Sequence, residues 1–296
     1  MSAAVVAALA CVATGAAGVR DSPQTGIPAG WTLVRTGPAG GTVWQGWIPD
    51  GFATWDRRYS AVYLPPDYSP SRRYPVIYLL HGMSGSPAGF WDGMSLADVA
   101  DGLISQGKAE PFMVVMPVAG PPLDPESGEW AGIWEDFVVH NVLAWTDQHF
   151  STVPTAAGRA LEGLCAGGFG AIDIGLRHPG LFATLGSWEG YFAPEFHDGP
   201  FRHAGAAYLD AHDPQLLVRQ DAAHLHAEGT RFYISYDGNH GGVLGAWSAA
   251  FGAELRDLGL PHQVVQLPPL ERRHFWGATL PSALLYAADG FPAAGT

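Results

Sequence analysis

The sequence predicts an α/β fold, a mostly parallel sheet with helices on both faces. Two observations carry the prediction. Short continuous apolar runs, such as "YPVIYLL" at 74–80 and "PFMVVMPV" at 111–118, fit strands covered on both sides. Stretches with helical spacing alternate with these runs along the chain, as strand–helix–strand units require.

Taken in order, "YSAVYLPPDY" (59–68) reads as a strand entering a Pro-Pro-Asp turn, and "YPVIYLL" as a buried strand that breaks at "HGMSGS". "SLADVADGLISQG" has helical spacing and stops at Gly107, and "PFMVVMPV" is the next buried strand. A glycine- and proline-rich loop then runs to about Trp134, where "EDFVVHNVLAWTDQHF" begins an amphipathic helix. "GRALEGL" is a strand, with a helix from Ala166 onward. "LFATLGSW" and "RFYISY" are further strands; "GAWSAAFGAELRDLG" is a helix, "PHQVVQL" the final strand and "GATLPSALLYAADG" the closing helix. No internal repeat appears. In sheets of this kind reactive groups gather at the carboxyl ends of the strands.

Composition narrows the function. With 296 residues, 47% hydrophobic and 15% charged, the chain has ample material for one large core. Its net charge is −13 and Lys108 is its sole lysine, with no basic run, which argues against a nucleic-acid partner or an anionic membrane surface. Two cysteines, Cys11 and Cys165, indicate neither a disulfide framework nor a zinc finger. The one compact metal-like pair, His224 and His226, carries little weight, so no metal and no organic cofactor is expected.

Residues 3–19 are uncharged and end before Arg20. Residues 1–20 therefore read as a signal peptide or the remnant of a membrane anchor, and residues 21–296 as one α/β domain. A secreted or extracytoplasmic, membrane-anchored location is expected, or a cytoplasmic one if the segment is not a signal.

"ALEGLCAGGFGA" (160–171) holds the sharpest chemical signal. Gly163-Leu164-Cys165-Ala166-Gly167 fits a strand–turn–helix elbow that presents a strained, exposed nucleophile, the flanking glycines letting strand and helix approach closely. A helix N-terminus favours negative charge, which suits a thiolate attacking an acyl carbon. The bland alternative is a small buried thiol. "YLLHGMSGS" supplies a companion loop: the amides of Met83 and Ala166 are the candidate oxyanion donors, and His81 is expected to shape the loop. Trp91, Trp130, Trp134, Trp188 and Tyr191 are candidates for lining an acyl or aromatic pocket, with ordinary packing the alternative for each.

These stretches, together with "YLPPDY", "GLCAGGFGAIDIGLRHPGLFATLGSWEGYF" and "FWGATLPSALLYA", resemble the α/β-hydrolase esterases that include esterase D, feruloyl esterases and secreted mycolyltransferases. The resemblance spans roughly 59–288. It implies an α/β-hydrolase fold and an acyl-enzyme, with Cys165 where the family usually has serine. The order nucleophile, acid, histidine implies Asp237 after "RFYISY" and His274 after the last strand, His262 being less suitable because it precedes that strand. Two registers depart from the pattern: one relative's histidine position falls on Glu271 and another's acid position on His240, so either residue is an alternative partner for orienting His274. The expected activity is hydrolysis of a small-molecule, lipid or glycan acyl ester or thioester, or acyl transfer. The alternative is a catalytically silent binding module of the cell envelope.

Overall fold

Val76–Leu80 (β4) runs through the middle of the sheet because all five of its residues are apolar, and all five are buried. The computed structural model describes residues 26–49, 59–83, 85–119, 129–194, 201–238, 243–270 and 272–292. The proposed signal segment, His240 and Glu271 lie outside the described residues.

Nine described strands form one sheet in the order β1-β2-β3-β5-β4-β6-β7-β8-β9. They are β1 (Thr32–Thr36), β2 (Thr42–Gly46), β3 (Ser60–Leu64), β4, β5 (Met113–Met116), β6 (Arg159–Leu164), β7 (Thr184–Trp188), β8 (Arg231–Asp237) and β9 (His262–Leu267). From β5 to β9 every neighbouring pair is parallel, while β1, β2 and β3 meet their neighbours antiparallel.

Alternation along the strands divides the core in two. Val76, Tyr78 and Leu80 face a layer built by α2 (Ile133–Asp136), α3 (Leu143–His149), α4 (Ala166–Arg177), α6 (Pro214–Gln220) and α8 (Val243–Asp257). Ile77 and Leu79 face α1 (Leu96–Ser105) and α9 (Arg272–Asp289) on the other side. A strand buried on both faces favours a near-continuous apolar run, which is why β4 and β5 show no polar alternation. Asp101, the buried carboxylate of α1, accepts from Tyr63 Oη at 2.7 Å and from the Ala39 and Gly41 amides, fastening that layer to the antiparallel edge.

The fold bears out the expected α/β class and corrects several details. The amphipathic segment after Ile133 is not one α-helix: Phe137–Val142 is π-helical between α2 and α3, and this wider turn still buries Phe137, Val138 and Val142. The β1–β2 hairpin was not expected, because its residues are half-exposed and carry no continuous apolar run. Nor were α5 (Ala206–Asp210), α6 and α7 (Ala222–Glu228), helices of two turns or fewer that are too short for a periodic signal. α6 is held at its start by Asp213, which accepts from the Gln215 and Leu216 amides, with Pro214 at the first helical position. Finally, α9 begins at Arg272, not Gly277, so His274 sits in the first turn of a helix and not in a loop. Among the described residues no helix is long and apolar enough to cross a membrane.

Candidate active site

β6 ends at Leu164 and α4 begins at Ala166, leaving Cys165 alone to make the turn. It does so at φ 54°, ψ −119°, a region that a residue with a Cβ enters only under strain of about 1–3 kcal/mol. Neighbouring bonds hold it there. Its amide donates to Trp188 O at 3.0 Å, and its carbonyl accepts from the Gly168 and Phe169 amides. The thiol-bearing side chain is half-buried, neither sealed in the core nor fully exposed.

The two glycines of the motif are there for want of space. A Cβ on Gly163 would stand 2.3 Å from Gly167 O, and one on Gly167 would stand 2.0 Å from Leu80 O. Strand, turn and helix therefore meet backbone to backbone, as the sequence spacing predicted.

The loop after β4 lies directly against this turn. A Cβ added to Gly82 would come within 3.2 Å of Cys165 Cβ. Gly85 N donates to Gly82 O at 2.9 Å, curling the loop so that Met83 stands at its exposed crest. Ala166 is the first residue of α4 and is buried; amides in the first turn of a helix have no intrahelical acceptor. The candidate oxyanion segments are thus brought together on either side of Cys165.

His81 is buried and shapes the loop, as expected. The Ala119 amide donates to its Nε2 at 3.2 Å, which leaves Nδ1 as the donor to Gly82 O at 2.9 Å. Its own carbonyl accepts from Trp130 Nε1 at 2.8 Å.

Asp237, the last residue of β8, is buried, and its Oδ2 accepts from the Leu270 amide at 3.0 Å. That bond ties β8 to the connection leading into His274. The imidazole of His274 is exposed. Trp276, one half-turn on, packs against the apolar layer on the α1 and α9 side of the sheet, the layer that Cys165 and Trp91 also border. His262 opens β9 at the amino edge, where its Nδ1 bonds Leu260 O at 2.7 Å, away from the carboxyl ends.

Four of the five candidate pocket aromatics are packing residues. Trp130, Trp134, Trp188 and Tyr191 are buried, with Trp188 Nε1 on Glu162 Oε2 at 3.0 Å and Tyr191 stacked on Phe169. Trp91 does line a cleft, of about 260 Å³, with Tyr59, Gln45, Pro87 and Val118 beside the Gly82–Gly85 loop. Tyr59 and Gln45 come from the antiparallel edge, whose hairpin the sequence did not reveal. Glu189 was also missed: it follows β7 at φ 53°, is buried, and donates its amide to Ser235 O at 2.7 Å. A charge set immediately after a buried apolar strand was its available signal.

A mostly parallel sheet with a sharp nucleophile-type turn after β6 and candidate partners after β8 and β9 defines an α/β-hydrolase. The chain belongs to the Esterase family, whose model, described as "Putative esterase", matches residues 53–278. It is 34% identical over 141 residues to Esterase MT1326 of Mycobacterium tuberculosis (strain CDC 1551 / Oshkosh), a match covering 44% of this chain and 28% of that protein. This stretch is about a quarter of the relative's length. Among solved structures it resembles a ferulic acid esterase, with TM-score 0.72 and 20% identity over 85% of this chain and 99% of the other. It also resembles an S-formylglutathione hydrolase from Agrobacterium tumefaciens, with TM-score 0.69 and 17% identity over 88% and 99%.

Proposed function

We propose that this chain is an acyl hydrolase for carboxylic esters or thioesters, acting through an acyl-enzyme on Cys165. The observation that carries the reading is the strained, half-buried Cys165 at the β6–α4 turn, with Gly82 so near that a Cβ added there would stand 3.2 Å from the Cys165 Cβ. Strain of this kind persists only where surrounding structure over-determines it, and it clusters at reactive sites.

In the reaction, the Cys165 thiolate attacks the acyl carbon and a C–S bond forms while the carbonyl π pair moves to oxygen. The amides of Met83 and Ala166 donate to that oxyanion. Collapse expels the alcohol or thiol, which takes a proton from His274. Water then attacks the thioester, gives a proton to His274 and releases the carboxylic acid, restoring the thiolate. Asp237 orients His274 by way of the β9–α9 connection. A thiol needs less basic help than a hydroxyl, because part of it is ionised near neutral pH. An acceptor alcohol in place of water would make the same intermediate serve acyl transfer. The cleft beside Trp91 suits a compact acyl or aryl group.

Intact-mass analysis after exposure to a panel of activated esters and thioesters tests the reading. A covalent acyl adduct is expected on the native chain and none on Cys165→Ala. Undiminished hydrolysis by Cys165→Ala would overturn it.

A further inference from the structure

Away from the carboxyl edge, three side chains distant in sequence converge inside the protein. Glu135 of α2, Asp173 of α4 and His212, between α5 and α6, are all buried, and one ligating atom from each lies within 4.8 Å of the others. His212 Nδ1 stands 2.7 Å from Asp173 Oδ2. Asp173 has no exposed surface, yet its Oδ1 has no hydrogen-bond partner among the described residues. A buried carboxylate oxygen left without a donor is costly and marks a place where a positive ligand would be welcome.

Glu135 is arranged differently. Arg177 Nε and His178 Nε2 both bond its Oε1, at 2.9 and 2.7 Å, so both donors converge on one oxygen of the carboxylate. Fixing one carboxylate oxygen from behind is how outer partners aim a metal-ligating carboxylate. Arg177 is itself anchored by NH1 on Ala211 O at 2.7 Å, so its charge is turned toward Oε1 and the carbonyl. Burial pushes Asp173 up, with the His212 bond opposing. Burial also pushes Glu135 up, but the His178 and Arg177 bonds outweigh it and hold that carboxyl below its ordinary value.

We propose that Glu135, Asp173 and His212 form a binding site for one divalent transition-metal ion of the Zn²⁺ type. One imidazole nitrogen and two carboxylates are a donor set that such ions accept, with bonds of about 2.0–2.2 Å. Tetrahedral ligands at that range stand roughly 3.4 Å apart, so His212 Nδ1 and Asp173 Oδ2 need to separate by less than about 1 Å. With His178 and His212 uncharged, the two carboxylates carry one negative charge more than the Arg177 guanidinium neutralises, and that excess attracts a cation. It takes the place of the proton on whichever carboxyl or imidazole atom carries one in the empty cluster, so binding releases protons. A surface cleft of about 610 Å³ is lined by Arg177 and Ala211, the first bonded to Glu135 and the second next to His212 in the chain. The ion would clamp α2 and the α5–α6 connection onto α4, the helix that begins beside Cys165. The His224 and His226 pair visible in sequence is turned elsewhere, toward Glu228 and Leu258 O.

Calorimetric titration of chelator-treated full-length Cys165→Ser protein with ZnCl₂ tests the site, the substitution removing the competing thiol at residue 165. One equivalent should bind, with heats that vary with buffer ionisation as protons leave. Asp173→Asn or His212→Ala should abolish stoichiometric binding. His178→Gln, a partly exposed change that leaves the three ligands intact, should weaken it about 10- to 100-fold. Co²⁺ in place of Zn²⁺ should give visible bands without the thiolate charge-transfer band that ligation by Cys11 would produce. No binding by the Cys165→Ser chain, or binding that survives Asp173→Asn and His178→Gln unchanged, would reduce the cluster to an internal ion network. Should Asp173→Asn fail to fold, the His178→Gln and Co²⁺ results decide.

Discussion

The Leu270 amide donates to Asp237 Oδ2 at 3.0 Å, fastening the turn after β9 to the last residue of β8. The bond makes Asp237 an anchor for the turn that leads to His274, and the proposed reaction asks a second thing of it, a negative charge that orients the imidazole. Asp237→Asn keeps an acceptor oxygen for Leu270 and removes the charge. Its melting temperature should stay within about 4 °C of the parent, a change under roughly 1 kcal/mol. Turnover of an activated ester such as p-nitrophenyl acetate should fall at least about tenfold, as when a carboxylate that orients a catalytic imidazole is neutralised. Turnover within about twofold of the parent would leave Asp237 as a loop anchor alone.

Trp91 and Trp130 look alike in sequence but occupy opposite environments. Trp130 is buried, donates to His81 O and fills the space against Gly170. Trp130→Ala should cost about 3–5 kcal/mol, read by urea unfolding, as large-to-small core changes do. Trp91 lines the 260 Å³ cleft, so Trp91→Ala should change stability by much less and alter the ranking of acyl chain lengths in KM. A ranking identical to the parent's, across acetyl to octanoyl esters, would remove the cleft from substrate binding.

How far the sequence reached follows from what each segment has to bury. β4 and β5 were legible because both faces are covered and every residue is apolar, while β6, which buries Arg159 and Glu162, was legible from the glycine turn it runs into. β1 and β2 were not, because a half-exposed hairpin mixes Thr, Arg and Gln with its apolar positions. The elbow was legible in full, since contacts as close as Gly167 to Leu80 O permit no Cβ and so fix the residue type. The histidine register was less so: "RRHFW" opens α9 with charged residues, and the sequence before it, "PPLE", offers no Ser, Thr, Asp or Asn to announce a helix start. The Glu135–Asp173–His212 cluster was invisible because its members come from three separate elements, joined only by how those elements pack.

Gly167→Ala provides a direct check on the elbow. The new methyl group would sit 2.0 Å from Leu80 O and 2.7 Å from His81 O, both backbone atoms with no rotamer to yield. Overpacking of this kind costs about 1–3 kcal/mol, and rigid backbone on the far side puts this site at the upper end. Because relief comes by parting α4 from the Gly82 loop, ester turnover should fall more steeply than stability. Equal stability and turnover would mean that strand and helix do not meet as described.

Glu162 stands three residues before Cys165 on β6, wholly buried, with Trp188 Nε1 donating to Oε2 at 3.0 Å and Oε1 without a hydrogen-bond partner among the described residues. Burial pushes its pKa from 4.5 up to about 8, the Trp188 bond opposing the rise. An acid whose folded pKa lies above its unfolded value binds more protons folded than unfolded between the two. Stability contributed by the protonated form is therefore complete below about 4.5, declines as pH rises toward about 8, and is lost above it. Glu162→Gln retains the shape and the acceptor for Trp188 while abolishing the ionisation. Urea unfolding of parent and variant from about pH 5 to about pH 9 should show the variant gaining on the parent until about pH 8 and holding a lead of a few kcal/mol beyond it. Two parallel stability curves across that range would mean that the carboxyl does not change its protonation between the folded and unfolded chains.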